Sequence, residues 1–214
     1  MREVLLINPN TSESITRLLQ QHVQGELGPA LRVRAATARF GAPYIADEAT
    51  YAVAGHAVLD AWQSQAPADA VLIGCFGDPG LFALRESSAA PVTGLAEAAF
   101  IEAASHGRFA IVTGGARWQP MLLRLAQALG FERALAGIHA VPATGAELAA
   151  DRDAARRMLA TACGEAARRF DAHAVIVGGA ALAGMAAELQ PGCGLPLIDS
   201  VAAGARRIAA ALRH

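Results

Sequence analysis

The chain has 214 residues, of which 54% are hydrophobic and 5% aromatic, so its core must be built mainly from small aliphatic side chains. Eighteen Lys and Arg nearly balance 19 Asp and Glu, and the formal net charge is −1. Without a basic field to attract phosphate backbones or anionic lipid, nucleic acid is not expected as a partner. The apolar runs are too short for a signal-peptide core or a membrane span, so no membrane partner is expected either. Three scattered cysteines are typical of a reducing compartment, and we place the protein in the cytoplasm.

Short β-rich runs alternate with Ala- and Leu-rich stretches of helical period, which is the pattern of βα units around a parallel sheet. Helix starts are indicated by Thr11 and Ser12 before Glu13, and by Asp47 before the run that ends at Trp62. The sequence predicts strands at residues 4–7, 31–35, 70–74, 91–93, 109–113, 137–141, 174–178 and 195–199.

The two halves of the chain repeat each other at an offset of about 104 residues, which is the spacing between ADAVLIGC at 68–75 and AHAVIVGG at 172–179. The repeat predicts an α/β fold of two pseudo-symmetric lobes, each with a four-stranded parallel sheet flanked by helices. We assign residues 1–97 plus 200–214 to the first lobe and 98–199 to the second. Because ligands bind at the carboxyl ends of strands in open α/β sheets, the active site is expected in the cleft between the lobes.

Cys75 follows a buried strand in the segment GCFGDPG, where the glycines permit tight turns and Pro79 is placed to begin a helix. A helix N-terminus would lower the pKa of this thiol and make it reactive. The alternative is that Cys75 is simply a small buried apolar side chain. Cys163 has apolar neighbours at helical spacing and is expected in the core, and Cys193 is expected in a loop.

Two further segments follow predicted strands. INPNTS at 7–12 offers amides, hydroxyls and the free N–H groups of a helix start, a set that suits a carboxylate or an imide-like ligand. An ordinary N-cap would account for Thr11 but not for Asn10. VTGGARW at 112–118 is the related segment of the second half. The histidines lack metal-ligand spacing, and neither GxGxxG after a strand nor a Walker sequence occurs, so neither a metal nor a nucleotide cofactor is expected.

These segments resemble those of the aspartate/glutamate/hydantoin racemase superfamily, namely INPNTS, GCFGDPG, VTGGARW and, near the end, PLIDSVAAG. The resemblance spans essentially the whole chain and implies a cofactor-independent enzyme with two α/β lobes. In racemases of this kind a cysteine from each lobe faces the substrate. One removes a proton from a carbon beside a carbonyl, and the other returns it.

The chain departs from this pattern at the second cysteine. Hydantoin-type members carry it in a segment like GCAGMAG, whereas residues 178–184 here read GGAALAG. Gly179 therefore occupies the place of the cysteine, and the internal repeat independently pairs Cys75 with Gly179.

The resemblance implies a cofactor-free and metal-free racemase or epimerase that acts on a small carboxylate or hydantoin, with Cys75 as the acid/base; we also expect a homo-oligomer. In this scheme Asn10 and Thr11 orient the polar end of the substrate, Phe76 and Gly77 shape the wall beside the thiol, and backbone N–H groups near Thr113, Gly114, Gly179 and Ala180 stabilise the oxyanion. Two alternatives stay open. One is a single-cysteine decarboxylase or cis–trans isomerase of the same superfamily, and the other is a protein that binds a small acid without catalysis.

Overall fold

The computed structural model describes residues 1–213, which form two four-stranded sheets with every neighbouring pair of strands parallel. The first sheet contains β1 (Arg2–Asn8), β2 (Leu31–Thr37), β3 (Ala70–Ile73) and β4 (Val92–Gly94) in the order β2-β1-β3-β4. The second contains β5 (Phe109–Gly114), β6 (Leu135–Val141), β7 (Ala174–Gly178) and β8 (Leu197–Asp199) in the order β6-β5-β7-β8.

Helices fill the intervals between these strands. They are α1 (Glu13–Leu27), α2 (Glu48–Gln63), α3 (Leu81–Ser87), α4 (Leu95–Ala104), α5 (Trp118–Ala128), α6 (Gly145–Ala150), α7 (Arg152–Phe170), α8 (Met185–Leu189) and α9 (Ser200–Ala211), with short 3₁₀ turns at Ala180–Leu182 and Gln190–Gly192. Asp47 caps α2 as predicted, since its side chain accepts a hydrogen bond from the Thr50 amide. Among residues 1–213, no helix has the length and apolar character that crossing a bilayer requires.

The predicted fold class is confirmed. Each predicted strand is present with small shifts at its ends, and the last one begins at Leu197. Because the two sheets have the same strand order, the repeat seen in the sequence is a repeat of topology. β3 and β7 are buried along their whole length, since helices cover both faces of each sheet.

One large hydrophobic cluster contains buried residues of both halves of the chain. Phe76 and Phe100 of the first half contact each other edge to face, and Phe100 stacks on Phe109 of the second half with ring centroids 5.6 Å apart. Helix α9, although last in the chain, packs on α1 and α4. The lobe boundaries proposed from the sequence stay a prediction, and residue 214 lies outside the described part of the chain.

Candidate active site

A cavity of about 390 Å³ lies between the two lobes at the carboxyl ends of their strands. Its wall includes Asn10 after β1, Cys75 after β3, Thr113 at the end of β5 and Gly179 after β7. The sequence predicted this position, because ligands bind at the carboxyl ends of strands in open α/β sheets. Most of the remaining wall is apolar, with side chains such as Ile15, Ile45, Leu148, Leu182 and Trp118.

Most of the predicted site residues line this cavity: Asn10, Cys75, Phe76, Thr113, Gly114, Gly179 and Ala180. Thr11 and Gly77 do not. The Thr11 amide donates to the Ala42 carbonyl at 3.1 Å, so this residue anchors the next loop. The Gly77 carbonyl accepts a hydrogen bond from the Tyr51 hydroxyl at 2.7 Å, so Gly77 contacts Tyr51 and not the cavity.

The wall also contains residues that the sequence did not single out. Tyr44, Ile45 and Asp47 approach it from the segment before α2, and residues 142–148 approach it from the second lobe. Residues 142–148 directly follow β6, which ends at Val141, so the position of the predicted strand could have indicated them. The segment before α2 does not directly follow a strand, and its only signal was the Asp47 cap, which indicated a helix start and not a site.

Cys75 is 7% exposed and packs with Ile45 and Ala54, beside Tyr51 and Trp118. The expectation of a helix N-terminus at this thiol is wrong, because α3 begins only at Leu81. The expectation of a lowered pKa is wrong as well, since burial, together with the negative charge of Asp78, raises the pKa of the Cys75 thiol. This environment therefore favours the neutral thiol form of Cys75.

The loop between Cys75 and α3 is a tight turn with unusual backbone geometry. Gly77 has φ 146°, Gly80 has φ 78°, and Asp78 is a non-glycine residue at φ 52°. Asp78 is 2% exposed, and its burial raises the pKa of its carboxyl group to about 7 although backbone N–H donors counteract part of the effect.

The INPNTS turn is held together by its own amides. The Asn8 side chain donates to Asn10 Oδ1 at 2.9 Å and to Thr16 Oγ1 at 3.0 Å, and the Ser12 amide also donates to Asn10 Oδ1. The side-chain carbonyl oxygen of Asn10 therefore helps to build the turn. The Nδ2 group of Asn10 makes no hydrogen bond to residues 1–213, and its residue lines the cavity.

On the opposite wall, two consecutive glycines have different roles. A Cβ on Gly178 would overlap the ring of Phe76, so this glycine lets the first lobe reach across to β7. Gly179 has φ 154°, a conformation that favours glycine, and its amide donates to the Ser200 hydroxyl at 3.3 Å. A side chain at position 179 would therefore strain the backbone. The Gly179 N–H is also already engaged.

Two ion pairs join the lobes, and the residues of the first pair line the cavity. Arg117 lies 3.4 Å from Asp47, and Arg124 forms a bidentate pair with Glu48 at 2.7 and 2.9 Å. These pairs are exposed, so each contributes little to stability. The other two cysteines lie elsewhere, Cys163 buried in α7 and Cys193 in a loop, as predicted. Within residues 1–213, no cluster of three or more His, Cys, Asp or Glu side chains is arranged to hold a metal.

The family model described as Asp/Glu/Hydantoin racemase matches residues 4–208. The chain belongs to this family. It is 31% identical over 208 residues to a hydantoin racemase of Paenarthrobacter aurescens, a match that covers 95% of this chain and 88% of that protein. An allantoin racemase structure from Klebsiella pneumoniae has a TM-score of 0.93 at 29% identity and covers 100% of this chain and 88% of its own. One from Pseudomonas fluorescens has a TM-score of 0.95 at 26% identity and covers 99% and 91%.

Membership of the Asp/Glu/hydantoin racemase family confirms the resemblance drawn from the motifs. It also makes one difference between the two cavity walls relevant to the proposed chemistry. The first lobe presents a cysteine at the end of β3, while the second presents, after β7, a glycine whose backbone conformation disfavours any other residue.

Proposed function

We propose that this protein is a cofactor-independent isomerase of the racemase type, with Cys75 as the acid/base at a carbon next to a carbonyl. The substrate class is a hydantoin derivative or a small carboxylate. The observation that carries the proposal is the position of Cys75, which of the three cysteines is the one on the wall of the inter-lobe cavity. Hydantoin and allantoin racemases among its relatives support the same class of substrate.

Proton removal from such a carbon gives an enolate, whose negative charge develops on the carbonyl oxygen. Backbone N–H groups near Gly114 and Ala180 and the Nδ2 group of Asn10 line the cavity and are the donors available for that charge. The Gly179 amide contributes less than expected because it is bonded to Ser200. The apolar wall excludes water and so strengthens these electrostatic interactions.

The raised pKa of Cys75 sets the direction in which proton transfer is easiest. As a thiol, Cys75 protonates an enolate on its own face, and it must lose its proton before it removes one from carbon. No thiol faces it from position 179, so a proton that reaches the other face comes from water or from another cavity residue. We therefore expect exchange of the substrate proton to be faster than racemisation.

The same observations favour a second candidate, a single-cysteine lyase. A decarboxylase needs only a proton donor: the bond between carbon and the carboxylate breaks, CO₂ leaves, and the electron pair remains as an enolate. The Cys75 thiol would protonate that enolate, and water would then return a proton to the thiolate. Gly179 on the opposite wall and the resting thiol at Cys75 both suit this reaction.

One experiment tests both candidates. A 5-substituted hydantoin, allantoin, an amino acid and an arylmalonate are incubated in deuterated water with wild type, Cys75→Ser or Cys163→Ser, and proton exchange, optical rotation and CO₂ are followed against enzyme-free samples. Cys163 is a matched control because it is a buried cysteine outside the cavity. We expect exchange with wild type and the control but not with Cys75→Ser. Release of CO₂ would select the lyase, and activity that survives Cys75→Ser would contradict both.

We also infer that the protein acts in the cytoplasm as a homo-oligomer. Three free cysteines, two of them buried, suit a reducing compartment. Light scattering on the purified protein tests the assembly, and cell fractionation tests the location.

A further inference from the structure

Asp78 connects two distant parts of the first lobe. One carboxylate oxygen accepts a hydrogen bond from the Ala96 amide at 2.9 Å, and the other accepts one from the Glu97 amide at 2.7 Å. These are free amides of the first turn of α4, so Asp78 caps that helix from the loop that follows β3. Gly94, at the end of β4, makes room for the carboxyl group, because a Cβ there would overlap it.

The same connection, built in the opposite direction, follows the last strand of the second sheet. Asp199, at the end of β8, caps α9 by accepting hydrogen bonds from the amides of Val201 at 2.9 Å and Ala202 at 3.1 Å. Its other oxygen accepts a hydrogen bond at 2.8 Å from the amide of Gly184, in the loop that follows β7. The carboxylate thus comes from the strand end here and from the loop in the first lobe.

The positions correspond closely in the repeat. Gly94 and Asp199 correspond, because each directly precedes the helix that is capped. Gly80, with φ 78°, and Gly184, with φ 80°, also correspond, because each directly precedes the helix that follows the loop. Both lobes therefore place a buried carboxylate between the N-terminus of a helix and the loop that forms the cavity wall. In the first lobe that loop carries Cys75, which within residues 1–213 is the one cysteine on the cavity wall.

We propose that Asp78 is a positioning residue for Cys75, because its carboxylate fastens the Cys75 loop to the N-terminus of α4. The loop is also held by the Tyr51 hydroxyl, which donates to the Gly77 carbonyl at 2.7 Å, and by the packing of Phe76 in the core. The Asp78 amide donates to the Cys75 carbonyl at 3.2 Å, so the two residues belong to one turn, and Gly80 packs against the backbone of Gly55 in α2. Release of the carboxylate would free the turn at Asp78 and let the thiol move from the cavity wall.

The charge of Asp78 gives this role a signature that a purely structural residue lacks. Asp78 raises the pKa of the Cys75 thiol, so its loss should shift the pH dependence of Cys75 alkylation to lower pH. This reaction is followed by peptide mass spectrometry on the folded protein with iodoacetamide. It needs no substrate and stays informative even if the proposed function, on which the catalytic role of Asp78 rests, is incorrect.

Four variants test the proposal. Asp78→Asn keeps the shape but removes the charge and one acceptor, and Asp78→Gly removes the side chain where φ is positive. The double variant D78G/G94D moves the carboxylate to the end of β4, the position that corresponds to Asp199. There it is designed to accept a hydrogen bond from the Gly80 amide, as Asp199 does from the Gly184 amide. Asp199→Asn is the matched control, because it breaks the corresponding connection to the loop after β7, which carries no cysteine.

We expect Asp78→Asn and Asp78→Gly to lower the kcat of Cys75-dependent exchange by about tenfold or more while KM changes less than about threefold, since the thiol and not the substrate contacts are displaced. Their alkylation profiles should move to lower pH. D78G/G94D should recover most of the lost kcat and return the profile towards wild type. Asp199→Asn should leave the alkylation profile in place.

Three results would overturn the proposal. The first is an alkylation profile in Asp78→Asn that superimposes on wild type. The second is an equal shift in Asp199→Asn. The third applies if the single variants at Asp78 do not fold: D78G/G94D must then restore folding and the wild-type profile, and its failure to do so would show that the carboxylate at α4 is not what holds the loop.

Discussion

Gly179→Cys restores the thiol that the second lobe lacks, and the structure predicts that the substitution has a cost. Gly179 has φ 154°, and a non-glycine residue held in such a conformation costs about 1 to 3 kcal/mol. An added Cβ would also lie 3.3 Å from Cδ1 and Cγ of Leu182, a tight contact that requires the leucine to move. In a chain of this length each kcal/mol lowers Tm by about 2 to 4 °C, so a decrease of roughly 2 to 12 °C is expected.

Gly179→Ala is the matched control, because alanine meets the same backbone strain and the same Leu182 contact without supplying a thiol. Thermal and urea unfolding should give the two variants similar losses of stability. With a hydantoin in deuterated water, only Gly179→Cys should raise the ratio of racemisation to exchange above that of wild type. If Gly179→Ala unfolds within about 0.5 kcal/mol of wild type, the argument from φ is refuted. If Gly179→Cys folds but leaves the ratio unchanged, position 179 is not the vacant acid/base position.

Three further outcomes follow from burial and packing. Burial raises the pKa of Asp78 from 3.8 to about 7, so the contribution of its protonated form to stability is complete below pH 3.8 and is lost as pH rises through 7. Between pH 5 and pH 8 the free energy of unfolding of wild type should therefore fall by about 2 to 3 kcal/mol relative to that of Asp78→Asn. Urea unfolding measures this difference, and an equal pH dependence of the two proteins would contradict it. Gly178→Ala should destabilise the protein by about 1 to 3 kcal/mol in the same assay, because the new methyl group overlaps the Phe76 ring. In native labelling near neutral pH, partly exposed Cys193 should react before buried Cys75, and peptide mass spectrometry would reveal the reverse order.

The sequence was sufficient to predict the architecture because its signals are local. Runs such as AVLI in β3 and AVIVG in β7 are buried on both faces and read as continuous apolar strands. Their repeat at one offset then determined the two lobes. Cys75 could be placed on the cavity wall for the same reason, since the end of a parallel strand fixes which edge of the sheet a residue occupies.

The environment of Cys75 could not be predicted in this way. GCFGDPG reads as a strand followed directly by a helix, yet the chain first makes a turn in which the Asp78 carboxylate accepts hydrogen bonds from the amides of Ala96 and Glu97. Those partners are distant in the sequence, so no local pattern reveals them. The wall formed by Tyr44 and Ile45 was missed for a similar reason, because its position depends on how the loop before α2 meets the other lobe.

The two lobes have the same strand order but not the same loops, and this difference bears directly on the chemistry. After β3 the loop carries both the cysteine and the capping carboxylate of Asp78. Its residues with positive φ are Gly77, Asp78 and Gly80, which lie beyond Cys75 in the chain. After β7 the carboxylate belongs to Asp199 at the strand end, and the loop bends at once through Gly179 into a 3₁₀ turn at Ala180–Leu182. The bend therefore falls on the residue that corresponds to Cys75. The second lobe thus differs from the first in backbone as well as in side chain at this position, so the one-sided proton transfer that we propose rests on the backbone at Gly179 as well as on the missing thiol.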